Sequence, residues 1–72
     1  MQQERRSAMD EIDKLCVRSF AEGKMRMTRA HEISGVSRDK LSYRLSKVHK
    51  ETGYNPFEFY GLMKLMELVG EE

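Results

Sequence analysis

Apolar residues recur along this chain at spacings of three and four, and Gly23, Gly35 and Gly53 divide the pattern into four stretches. In the first, Met9, Ile12, Leu15, Cys16 and Phe20 share one helical face and predict a helix over about 7–22. Gly23 is expected to end it, since glycine takes a left-handed backbone without steric cost. A short second helix is predicted over 28–34, capped by Thr28, with Ala30 and Ile33 on its inward side. Ser37 is a good cap for a third helix over 37–52, and Asp39 suits the positive end of its dipole. Leu41, Leu45 and Val48 form a narrow stripe there, and the remaining positions are polar and mostly basic. Asn55, Pro56 and Glu58 read as cap, first turn and capping box of a last helix over 56–69. No strand-like alternation of useful length interrupts the series, so the expected fold is all-α: one four-helix domain spanning 1–72.

Charge changes this picture more than composition does. The 72 residues carry 13 Lys and Arg against 12 Asp and Glu, a net charge of only +1. Residues 24–50, however, hold eight bases and two acids, whereas 51–72 hold one base and five acids. A basic middle in a near-neutral chain provides one surface suited to a polyanion. A lone cysteine, Cys16, cannot form an internal disulfide and suits a reducing cytoplasm; it reads as a core residue. Cys16, His31 and His49 lack metal-ligand spacing, so neither metal nor cofactor is expected. No apolar stretch is long enough to span a membrane, and no signal peptide is visible. There is no paired nucleophile and base and no glycine-rich phosphate loop, so no enzymatic role is expected.

The basic window coincides with a short helix, a glycine turn and a second helix. Ala30 is small enough for close helix approach, Gly35 permits the reversal, Val36 can plug the angle, and Leu41 can anchor the following helix from below. These are the needs of a helix-turn-helix, whose second helix lies in the DNA major groove. The run Arg26-Met27-Thr28-Arg29-Ala30, then Gly35-Val36-Ser37-Arg38 and Leu41-Ser42-Tyr43-Arg44-Leu45, resembles the Fis-type helix-turn-helix that closes many NtrC-type sigma-54 activators. The continuation through Val48 and Glu51-Thr52-Gly53 is also similar to the C-terminal domain of PucR-type regulators. Two positions depart from the pattern: His31 stands where alanine is usual, and Ser34 where leucine or a similar residue is usual.

The resemblance implies a bacterial transcription regulator that binds double-stranded DNA as a dimer on a palindromic site. The chain reads either as a complete small protein or as an excised C-terminal domain; the resemblance favours the latter, with RNA polymerase a partner it would reach through domains absent from this chain. The resemblance places contacts to DNA on Ser37, Arg38, Lys40, Ser42, Tyr43, Arg44 and Lys47. Arg38, in the first helical turn, can bind O6 and N7 of guanine with two parallel bonds, or a phosphate. Ser42 and Tyr43 can touch bases or phosphate, and Tyr43 equally reads as a core residue with a wet hydroxyl. Lys40, Arg44 and Lys47 read as phosphate contacts, as do Arg26, Thr28 and Arg29 at the opening of the second helix.

The last helix is apolar on two faces. Phe59, Leu62, Met63, Met66 and Val69 make one stripe, and Phe57, Tyr60, Leu65 and Leu68 widen it. A small core cannot use all of it, so the first stripe is expected to form a homodimer interface. The same feature supports a rival reading, a helical interaction or oligomerisation module with no nucleic-acid partner. The basic window opposes that rival.

Overall fold

The computed structural model describes residues 9–70. They form an all-α domain of four helices: α1 (Glu11–Glu22), α2 (Met27–Ser34), α3 (Arg38–Thr52) and α4 (Phe59–Gly70), with no strand among the described residues. No helix among them is long and apolar enough to cross a membrane.

Local chemistry sets the helix ends. Asp10 caps α1 by accepting the Asp13 N–H at 2.9 Å, with Glu11 and Asp13 at the positive end of the dipole. This start is later than the periodicity predicts, and Ser7 and Ala8 lie outside the described residues. At α2 the cap position is Arg26, which contributes no side-chain bond, so the expected Thr28 cap is corrected: Thr28 lies exposed inside the helix. Ser37 caps α3 as expected, its Oγ accepting the Lys40 N–H at 3.3 Å, and Gly53 ends that helix at φ 83°.

The start of α4 differs more. Asn55 takes the Phe57 N–H on its side chain and the Glu58 N–H on its carbonyl, at 3.0 and 3.1 Å. These bonds make residues 55–58 a turn with Pro56 at the second position, which its fixed φ suits. The first helical bond runs from Leu62 N–H to the Glu58 carbonyl, so α4 starts at Phe59, not Pro56. Gly61 explains why this turn sits tightly on the helix. A Cβ there would lie 2.1 Å from the Asn55 carbonyl oxygen and 2.6 Å from its nitrogen.

Helix α1 packs against each of the other three, whereas α4 packs on α1 alone. Cys16, Val17 and Phe20 of α1 meet Ala30, Leu41, Leu45, Val48, Leu62, Leu65 and Val69 in one core. Each large side chain buried there contributes roughly 1.5–3 kcal/mol. Two expected inward residues are corrected: Ile12 and Ile33 are 41% and 40% exposed. The face of α1 that periodicity assigned to Ile12 is shifted, because Asp13 is buried beside α3 instead.

Gly23 ends α1, but not by the expected left-handed backbone. Its φ is −83°, and the left-handed residues are Lys24 and Met25, at 58° and 64°. Gly23 is required by contact: a Cβ would stand 2.9 Å from Arg29 Cβ and 3.0 Å from the Ala30 nitrogen. The α1–α2 turn therefore draws both helices close at Gly23 and places its backbone strain on the next two residues.

Candidate nucleic-acid interface

The turn between α2 and α3 is held from both sides. Gly35 adopts φ 77°, with space around it, and its N–H returns to the His31 carbonyl at 2.9 Å. The His31 ring donates from Nδ1 to the Val36 carbonyl at 2.7 Å, and the Ser34 hydroxyl accepts the Val36 N–H at 3.0 Å. His31 and Ser34, the two departures from the Fis-type pattern, thus satisfy both backbone groups of the turn's apolar residue. Sequence reasoning missed this role: the Ser34 bond spans two residues and is a local turn signal, whereas the His31 ring reaches Val36 only once the turn closes. Val36 itself is half-buried against the core, as the plug of a helix-turn-helix requires.

Helix α3 presents distinct faces. Leu41, Leu45 and Val48 are fully buried and fix the helix from below. Asp39, Tyr43, Ser46 and Lys50, at spacings of four, three and four, form the opposite, exposed face. Tyr43 is 66% exposed, which decides between its two readings: it is a surface residue. Arg38, Lys40 and Ser42 are exposed as well, and Ser37 stands at the helix start. Ser46 and Lys50 were not among the expected contacts, although Lys50 follows Tyr43 by seven residues, two turns of the same face.

Arg44 and Lys47 are placed differently from the other basic residues of α3. Arg44 Nη1 lies 3.2 Å from Asp13 Oδ1 and 3.2 Å from Asp10 Oδ2, and Lys47 Nζ lies 2.8 Å from Asp13 Oδ2. Asp13 is completely buried, and both of its oxygens are taken by these cations. A buried carboxylate needs such partners, because an unpaired charge out of water is costly. The bond from Asp13 raises the pKa of both Arg44 and Lys47. The Asp13 backbone N–H, and then the Arg44 guanidinium, hold the Asp10 carboxyl below the usual aspartate range. Arg44 and Lys47, expected as phosphate contacts, therefore join α3 to α1 through these ion pairs. Nothing in their spacing shows this, because their carboxylates lie more than thirty positions away.

Three further basic residues, Lys24, Arg26 and Arg29, cluster at the entry to α2. Arg26 and Arg29 line a polar hollow with Glu22, Gly23 and Lys24, and Arg29 also pairs with Glu32 at 2.7 Å. Thr28 is exposed beside them. Of the residues assigned to a dimer interface, Leu62 and Val69 are corrected: both are buried in the chain's own core. Phe59 and Met63 are 69% and 48% exposed, and Met66 is half-buried.

No known protein family, curated protein or solved structure matches this chain. Its functional reading rests on the geometry of α2, the turn and α3, and on the sequence pattern they carry.

Proposed function

We propose that this protein is a double-stranded DNA-binding domain that uses α2 and α3 as a helix-turn-helix in transcription regulation. The observation that carries the reading is the exposed face of α3. Its Tyr43, Ser46 and Lys50 are presented to solvent by a helix whose other side is locked into the core, and Arg38 and Ser42 are exposed beside that face, Arg38 in the first turn. Such a helix can enter a major groove without unfolding anything. Arg38 reads a guanine edge, and Tyr43 and Ser42 touch bases or backbone one turn further on. Lys40 and Lys50, with Arg26 and Arg29 at the start of α2, grip phosphates on either side. Arg44 and Lys47 set the angle of α3 on α1. One such helix reads few base pairs, so two copies act together on a palindromic site.

The test is fluorescence anisotropy with labelled duplex DNA across a salt series. Each phosphate contact adds close to one unit to the log–log dependence of affinity on salt. A slope of several units is expected, and a slope near zero overturns the reading in favour of a protein-interaction module.

A further inference from the structure

Asp39 lies in the first turn of α3 and shares its outward face with Tyr43, Ser46 and Lys50. The helix dipole favours a carboxylate at this end of the helix, whichever way it points. Here it points with the side chains that face DNA in the proposed function. Inside a groove it would stand among phosphates that repel it.

Two acids lie in the basic window of residues 24–50. Glu32, on α2, is paired with Arg29 at 2.7 Å. Asp39 is held by no hydrogen bond or ion pair among the described residues, although Arg38 and Lys40 flank it in the chain. Its carboxylate is therefore left with its full accepting capacity, and a donor on the DNA is what would satisfy it.

Base edges in the major groove differ in what they offer such a group. Cytosine presents its N4 amine, a donor. Guanine presents O6 and N7, and thymine presents O4, all acceptors that repel a carboxylate. Adenine has an N6 amine, but the N7 acceptor beside it suits an amide, which donates and accepts at once. Cytosine is thus the base that an acceptor-only side chain matches.

We infer that Asp39 is a specificity-determining residue, accepting a hydrogen bond from the N4 amine of one cytosine in each half-site. The inference rests on the DNA-binding reading and names a base which that reading selects. Arg38 and Asp39 are neighbours at the start of α3, where a recognition helix reaches base edges. The first offers donors to guanine, and the second offers an acceptor to cytosine. Any other base opposite Asp39 leaves a carboxylate out of water with no donor, so the residue acts chiefly by rejecting wrong sequences.

Selection of bound duplexes from a random pool, with the wild type, Asp39→Ala and Asp39→Asn, is the test. The wild type is expected to enrich a motif with one cytosine that depends on Asp39. Asp39→Ala should open that position to any base and keep the others. Asp39→Asn should move it to adenine, which an amide binds through N6 and N7. In anisotropy titrations, changing that C·G pair should weaken the wild type by at least about fivefold, the lower end of the cost of one mismatched pair. The same change should leave Asp39→Ala unaffected. Circular dichroism confirms that each variant is folded. Folded variants that select the wild-type motif unchanged assign Asp39 to the helix dipole alone and overturn the inference while the DNA reading stands. A wild type that binds no duplex overturns that reading, and the inference with it.

Discussion

Asp13 of α1 accepts a bond from Lys47 of α3 at 2.8 Å, and it is buried while the lysine retains a partly wet side chain. With Arg44 on its other oxygen, this carboxylate makes the angle of the proposed reading helix depend on a residue of α1. Replacing Asp13 by Asn keeps its shape but removes the charge that both cations face. A loss of about 1.5–3 kcal/mol in urea unfolding is expected, the range for hydrogen bonds to charged groups. An unchanged midpoint would show that the cluster contributes no net stability.

Acid should act on the same cluster through Asp10. Its folded-state pKa is depressed, first by the Asp13 N–H and then by Arg44. A depressed carboxyl adds stability above its unfolded value, near 3.9, and loses that contribution as pH falls through the folded value. Urea midpoints should therefore decline on acidification from about pH 5 downward. Asp10→Asn retains a good helix cap and should flatten that decline. An identical acid limb in the variant would remove Asp10 from the account.

Gly61 is expected to resist every substitution. Alanine normally strengthens a helix by roughly 1 kcal/mol over glycine. Here its Cβ would overlap the Asn55 backbone, which cannot move without opening the 55–58 turn. Gly61→Ala should instead lower stability by about 1–3 kcal/mol, the usual range for overpacking. Thermal unfolding that shows a gain would contradict the close approach of α4 to Asn55.

Arg38 and Arg44 lie on the same helix, and only Arg38 faces solvent without an ion pair among the described residues. Arg38→Ala should cost about 1–3 kcal/mol on the preferred duplex and less on random DNA, so specificity falls. Arg44→Ala should lower protein stability and shift affinity on both duplexes together. Competition binding with specific and random duplexes separates the two patterns. Equal losses for Arg38→Ala would make it a phosphate contact.

The sequence by itself determined the number and nature of the helices. Spacings of three and four, and the caps Ser37 and Gly53, act within a few residues of one another, so neighbours in the chain suffice to read them. The same locality made Leu41, Leu45 and Val48 legible as the anchored side of α3, and the basic window legible as a surface. Tertiary structure decided what depends on distant partners. Asp10 and Asp13 capture Arg44 and Lys47, the Asn55 turn delays α4 to Phe59, and Lys24 and Met25 take the left-handed backbone expected at Gly23. Leu62 and Val69 turn inward while Phe59 and Met63 stay in water, because α4 packs on α1 through one face only. Local spacing can place these residues on a helix, but only packing selects which of its faces is covered.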